Sequence, residues 1–435
     1  MDNKRIVIIG AGPCGLGAGW RLKELGHNDW RILEKNPYPG GLSASFLDAQ
    51  GFTWDIGGHV IFSHYEYFDR LLDSLLDKDY LRHQRRAYVR IFDRWVPYPF
   101  QNNIRYLPPD KLLSCLIGLI QAGRQKKQPA DFQEWLLAAF GQGITEYFLG
   151  PQNSKTWQYP LRGMSYGWIG ERVSPVNLAK VLGNIILCRD DAAWGPNNTF
   201  KFPLKGGTGA IFSRLAEKLS LNVCYNKELV KLDLDKKELF FSDASRERYD
   251  RLITTIPLDH LVRLAGLNRL AEISDGLAHN SVLSVGIGLK GACPSDKCWM
   301  YFPQADVPFY RATYFSNYSP NNARAGCYSL MCETAFRGER PSDAQIVTAT
   351  IDGLIKAKML APGDKNSIVS THCIEAPYAY PVPTLGRDRA LREILPSLEQ
   401  RGVYSRGRFG AFKYETGNMD HCLMQGVAAV DEVLK

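Results

Sequence analysis

The chain lacks the marks of several common protein classes. Its ten cysteines, at 14, 115, 188, 224, 293, 298, 327, 332, 373 and 422, form no Cys-x-x-Cys pair and have no histidine at zinc spacing. That excludes a zinc ribbon and a dense disulfide framework, and fits a reduced compartment. Long hydrophobic runs are also missing. The longest in the middle, LLSCLIGLI at 112–120, falls far short of the roughly 20 residues a bilayer crossing needs. No Lys/Arg tract accompanies the net charge of +8, so nucleic acid is not an expected partner, whereas a small anion is. There is no repeat and no low-complexity segment. MDNKRIVIIG enters a strand at once and leaves no room for a secretory leader. A cytoplasmic protein without a membrane partner is expected. With 435 residues, 45% hydrophobic and 23% charged, the composition suits an enzyme of two or three lobes.

What is present starts at residue 5. RIVIIGAGPCGLGAG (5–19) is a β-branched strand leading into Gly10-x-Gly12-x-x-Gly15, then an amphipathic helix with Leu22 and Leu25 that stops at Gly26. A second strand, WRILE, ends at Glu34. This order predicts a dinucleotide site. Gly10 makes the tight turn, Gly12 admits a pyrophosphate, Gly15 packs helix on strand, and Glu34 accepts the ribose hydroxyls. PGGLSAS (39–45) follows directly. A Gly-Gly-x-Ser turn there marks FAD proteins of the glutathione-reductase type; the alternative is an ordinary reverse turn begun by Pro39. No second fingerprint follows a strand, and KGGTGA (205–210) has the wrong spacing. A separate nicotinamide domain is therefore not expected, and a reductant would reach the flavin through the substrate's opening.

The stretch from about 105 to 190 reads as helical. Asp110 and Asp131 open two segments, and Ser174-Pro175 reads as a cap and first turn for VNLAKVLGNIIL. Residues 223–243 and 249–257 alternate like strands, as do VLSVGIGL, CWMYF, FYRATYFSNY and CYSLMCETA further on. The Gly-rich RGRFGAFKYETGNMDH leads into an apolar helix. The expected fold is α/β: a Rossmann-like FAD-binding domain (1–82, 195–265 and 404–435), a helical insert (105–194) and an antiparallel sheet domain (83–104 and 266–403).

VPFYRATYFSNYSP (307–320) sets Arg311 among Phe309, Tyr310, Tyr314, Phe315 and Tyr318. A permanent cation in such company calls for an anion, which could be a bound ligand or a structural carboxylate. On a straight strand Arg311 and Tyr318 would face opposite ways, so both reach one ligand only if the strand ends or twists near Asn317.

Seven strings resemble the UDP-galactopyranose mutase family of the eukaryotic type: WDIGGHVIFSHYEYFD (54–69), WVPYPFQNN (95–103), GWIGERV (167–173), WGPNNTFKFPLKGGTG (194–209), DKCWMYFP (296–303), FYRATYFSNYSP (309–320) and SRGRFGAFKYETGNMDH (405–421). The resemblance runs over nearly the whole chain. It implies a reduced-FAD-dependent isomerase that interconverts UDP-galactopyranose and UDP-galactofuranose through a flavin N5–sugar adduct, with no net redox change and with NAD(P)H as transient reductant. By the same resemblance Arg172 and Arg311 would grip the diphosphate, aided by Tyr301, Tyr318, Tyr380 and Tyr414. Tyr98, Phe100, Gln101, Phe148, Asn153 and Trp157 would hold uracil, and Asn197 would lie near the sugar. His59 would sit beside the isoalloxazine and Arg408 near both flavin and substrate. The implied FAD contacts are Gly10, Gly12, Cys14, Gly15, Glu34, Gly41, Leu42, Ser43, Gly58, His59, Val230, Arg408, Gly417, Asn418 and Met419; no metal is implied. His64 is read as an ordinary surface or core histidine.

Two departures stand out. Ala87 occupies the place of a family serine, near the region that receives NADPH, and the segment between Pro320 and Cys327 is short. The missing pieces belong to oligomer contacts, so a homo-oligomer is left open. Two alternatives remain on the sequence alone: a mutase contracting another UDP-sugar, or an oxidase or desaturase of the amine-oxidase group, which would need an apolar tunnel.

Overall fold

The computed structural model describes residues 4–124, 128–192 and 194–435. Ile6–Ile9, buried at every position, is the middle strand of a five-stranded parallel sheet, in the order 403–405, 251–254, 6–9, 30–33 and 223–224. Such unbroken apolar strands suit a parallel sheet covered on both faces. The helix Pro13–Glu24 buries Leu16, Ala18 and Leu22 in a core shared with Trp30, Ile32, Phe212, Leu215 and, from the final helix Met419–Val433, Leu423, Val427 and Val430. The first and last segments of the chain thus build one layer.

The second large sheet has seven strands, ordered 368–381, 279–290, 327–336, 311–314, 299–301, 87–91 and 94–97. It is antiparallel as expected except that Trp299–Tyr301 runs parallel to Ala87–Ile91. The long intervening chain supplies the crossover that a parallel pair requires. Gly286 and Gly288, on one face of the strand His279–Lys290, leave room for two rings: a Cβ there would come within 2.5 Å of Trp54 and 2.6 Å of Phe52.

The helical segment packs on the second sheet, sharing a core with Val89, Ile91 and Val96. Asp131 caps Phe132–Ile144 by accepting the Glu134 N–H at 2.9 Å, and the chain continues through a π-turn into Gly150–Trp157. The Ser174-Pro175 signal misplaces the next helix. It begins at Leu178, where Asn177 accepts the Lys180 N–H at 3.0 Å, while Ser174 is buried with its carbonyl bonded to Gln101. The strand expected over FYRATYFSNY is only Arg311–Tyr314, followed by a 3-10 turn at Phe315–Asn317. Within 223–243, Val223–Cys224 joins the parallel sheet, while Glu238–Phe241 pairs with Leu229–Asp233 on one side and Arg246–Arg248 on the other in a separate small antiparallel sheet. Among the described residues no helix is long and apolar enough to cross a membrane.

Candidate functional site: a dinucleotide cradle opening on an arginine-lined cleft

The cradle is built by two glycine turns laid against each other. Gly10 adopts φ 101°, and a Cβ on Gly15 would lie 1.9 Å from the Gly10 carbonyl, so the helix starts flush against the strand. Gly40 and Gly41 both have positive φ, and the Gly40 N–H donates to the Ala11 carbonyl at 2.8 Å. A Cβ on Gly12 would meet nothing closer than Gly41 Cα at 3.9 Å, which leaves the helix start open. No side chain caps that helix and no acid sits in its first turn, so its N–H groups are free for phosphate. Glu34 stands at the end of the second strand, its Oε2 accepting the Ala11 N–H at 2.7 Å and its Oε1 the Asn36 N–H at 2.9 Å. Cys14 is buried behind the turn, where burial holds its thiol well above the ordinary value. Ser43 is buried too, its carbonyl accepting from Thr208. Val230 is the extra residue of a bulge between Leu229 and Lys231 and is exposed. Open backbone beside Gly12, the free helix start and the nearby carboxylate fit FAD.

A cavity of about 270 Å³ lies between Leu42, in the second glycine turn of the cradle, and residues of the second sheet. Of the residues singled out from sequence, Leu42, His59, Tyr98, Arg172, Asn197, Tyr301, Arg311, Tyr380, Arg408, Tyr414, Asn418 and Met419 line it. The two arginines therefore meet one space. Arg311 Nε donates to Glu333 Oε2 at 2.6 Å, and its guanidinium lies 4.4 Å from the Trp299 ring centre. Glu333 also accepts from the Tyr310 hydroxyl at 2.8 Å and from the Gly58 N–H. Burial pushes the Arg311 cation down, but Glu333 outweighs it and holds the group well above its ordinary value. Both expected anions thus have a basis: a structural carboxylate on one edge of the guanidinium and the cleft beside it. Arg172 differs. Among the described residues no carboxylate pairs with it; its Nη2 donates to the Glu415 carbonyl at 2.8 Å and its guanidinium lies 4.5 Å from the Tyr414 ring centre.

Aromatic rings join the two cations. Tyr414 and Tyr380 pack edge to face with ring centres 5.6 Å apart, and the Tyr380 hydroxyl is 3.3 Å from that of Tyr310. Burial raises the Tyr98, Tyr301, Tyr310 and Tyr380 phenols, so all four stay protonated; Tyr310 spends its proton on Glu333, and the others face the cleft as donors. His59 carries a buried Nδ1 that has no partner among the described residues. Burial, then Arg408 and Arg311, push this imidazole down to about 3, so it is neutral at ordinary pH. Arg408 donates from Nε to the Gly417 carbonyl at 2.8 Å, which pins the turn preceding the final helix.

Several expected contacts lie elsewhere. Phe100, Gln101, Phe148, Asn153 and Trp157 do not line this cavity. Phe100 and Phe148 pack together with ring centres 4.8 Å apart inside the helical core, and Gln101 Nε2 donates to the Ser174 carbonyl at 2.7 Å. Trp157 donates to Asn153 Oδ1 at 3.1 Å and sits one layer behind Tyr414, 4.9 Å between ring centres. Tyr318 is fully buried among Phe200, Phe202 and Phe315, because the 3-10 turn after Tyr314 swings it off the strand. Gly58 does not line the cavity either, its N–H being held by Glu333. Sequence reasoning missed Arg85, Trp299, Tyr310 and Glu333, all cleft residues. Arg85 donates to Asn197 Oδ1 and to the Trp194 carbonyl and stacks on Tyr98 at 5.4 Å. The string HQRRAYVR offered a cation there, but nothing in it told which arginine turns inward. His64, Asp420 and His421 bring nitrogen and carboxylate atoms within 4.8 Å of one another, and these atoms bond among themselves.

The profile of flavin containing amine oxidoreductases matches residues 13–434. A crystal structure of a reduced UDP-galactopyranose mutase superposes with a TM-score of 0.96 at 44% identity, covering 99% of this chain and 94% of that one. Cyclohexylamine oxidase from Brevibacterium oxydans IH-35A shares the fold at TM-score 0.69 and 16% identity, covering 99% of this chain and 98% of its own. A zeta-carotene-forming phytoene desaturase of Myxococcus xanthus is 43% identical over 183 residues, which is 41% of this chain and only 31% of the desaturase. Matched along nearly its full length at this identity, the chain belongs to the flavin containing amine oxidoreductases and, within them, to the UDP-galactopyranose mutase family.

Proposed function

We propose that the protein, with reduced FAD bound, isomerises UDP-galactopyranose and UDP-galactofuranose without net oxidation. The observation that carries this reading is the pair Arg172 and Arg311 on one cavity that Leu42, from the cradle's second glycine turn, also lines. Reduced flavin would supply electron density for attack at the anomeric carbon. The chain's own groups do the rest. Arg172, with no acidic partner among the described residues, and the free edge of Arg311 take up the charge that gathers on a departing diphosphate. Tyr301, Tyr380 and Tyr414 donate to the same oxygens, and neutral His59 adds no charge beside the ring. Asn197, held by Arg85, faces the sugar, while Tyr98 borders the uridine end. We assign NAD(P)H as the reductant, entering by the same cleft, and the cytoplasm as the compartment, in keeping with ten cysteines that are all free. An apolar desaturase substrate suits this cleft poorly, since four arginines line it.

Dithionite-reduced protein is expected to interconvert the two UDP-galactose isomers, and oxidised protein to be inactive, as read by chromatographic separation of the products. Equal turnover in both redox states would refute the proposal, as would desaturation of a carotene with no action on UDP-galactose.

A further inference from the structure

We propose that His64 is a positioning residue: as an imidazolium it ties the turn carrying Arg172 to the start of the final helix, and on losing a proton it lets that turn go. The inference rests on the proposed role of Arg172. His64 Nδ1 lies 2.7 Å from Asp420 Oδ2, and its Nε2 lies 2.6 Å from Glu171 Oε1. A neutral imidazole has one N–H, so one of these carboxylates would face a lone pair; only the doubly protonated ring satisfies both.

The two anchors differ in firmness. Asp420 sits in the first turn of the helix Met419–Val433, is 1% exposed, and is also held by the His64 backbone N–H at 3.1 Å and by His421 Nδ1 at 3.1 Å. Glu171 is 53% exposed and belongs to the three-residue turn Gly170–Arg172, which buries none of its residues and begins with Gly170 at φ 44°. A turn with so little packing of its own takes its place from tethers. Arg172 supplies two of them, donating to the Glu415 carbonyl at 2.8 Å and, at a longer 3.3 Å, to Asn418 Oδ1 at the cap of the final helix; His64 supplies the charge-assisted one.

The groups that face His64 come from several elements. Asp420 and His421 belong to the final helix, and Glu415 precedes it. Glu171 and Arg172 come from the turn, Tyr65 is the next residue, and Asp69 lies on the helix Glu66–Leu76 within the field of Asp420. Burial lowers His64, but its bonds to Asp420 and Glu171 outweigh this and hold it above its ordinary value. The sign follows. The tether is complete below the ordinary histidine value and is lost as pH rises through the raised one.

Amide hydrogen exchange over residues 168–173 of the unliganded flavoprotein tests the tether, comparing wild type with His64→Gln and Glu171→Gln at matched pH. Near pH 6 both variants are expected to exchange these amides about tenfold faster than wild type, the loss of one charge-assisted bond. Near pH 9 the three proteins are expected to converge. UDP-galactose affinity of the oxidised protein, a ligand whose diphosphate diester does not titrate in this range, should follow the same pattern. Equal exchange at pH 6, or a pH dependence that survives in both variants, overturns the proposal. If exchange changes as expected but UDP-galactose binds all three proteins alike, the tether stands and the role given to Arg172 fails. Glu171 is exposed, so its variant reports even if His64→Gln retains less flavin.

Discussion

At the scale of single residues, the Arg311–Glu333 pair shows how much one neighbour changes. The two lie directly opposite on adjacent antiparallel strands, and Glu333 is buried while accepting from four donors on three residues: two guanidinium N–H groups of Arg311, the Tyr310 hydroxyl and the Gly58 N–H. Glu333→Gln strips the charge that compensates a buried guanidinium. It is expected to cost about 3–5 kcal/mol in urea unfolding, and a paired Arg311→Met, Glu333→Met protein to recover most of that. Equal stability of Glu333→Gln and wild type would show that the cation is solvated by other means. From the sequence, the need of Arg311 for an anion was legible in its aromatic surroundings. The identity of its structural partner was not, since Glu333 is 22 residues away and becomes a neighbour only through strand register.

At the scale of elements, one lysine fastens the helical insert to the second sheet. Lys155, on Gly150–Trp157, places Nζ 2.8 Å from the Phe302 and Gln304 carbonyls and 2.7 Å from that of Phe309. Burial pulls the amine down to about 7. Three carbonyl acceptors, however, need three N–H donors, which only the ammonium provides, so we favour the charged form in the fold. Lys155→Met is expected to lower stability by about 3 kcal/mol in chemical denaturation, through charge-assisted bonds lost and carbonyls left dry. A change below the error of that measurement would mean the helix holds its place without this contact. Elements with local signals were legible: the glycine fingerprint with its flanking strands, the Asp131 cap, and the strand-like runs at 282–289 and 327–335. Where two local signals competed, packing decided. Ser174-Pro175 lost to Asn177 as the helix cap, and the run through Tyr318 was cut by a 3-10 turn that buries its ring. Of the uracil contacts implied by resemblance, Phe100, Phe148 and Trp157 belong to the helical core, Phe100 packing on Phe148 and Trp157 on Trp168 and Tyr414.

At the scale of the whole molecule, the cradle depends on contact between the two ends of the sequence. A Cβ on Gly426 would lie 2.0 Å from the Cys14 carbonyl, and one on Gly17 would lie 2.6 Å from that of Leu423. Both obstacles are backbone, so neither helix can yield by turning a side chain. Gly426→Ala is expected to cost about 3 kcal/mol and to weaken FAD retention on gel filtration, because the displaced helix carries Asn418 and Met419 at the cleft. Full flavin content with an unchanged melting temperature would argue against this coupling.

That interlock also fixes an order of events in the cell. A ribosome releases the fingerprint strand and glycine turn more than four hundred residues before the helix that braces them. Until that helix emerges, the nascent protein holds half a pocket, so prosthetic-group capture waits for it.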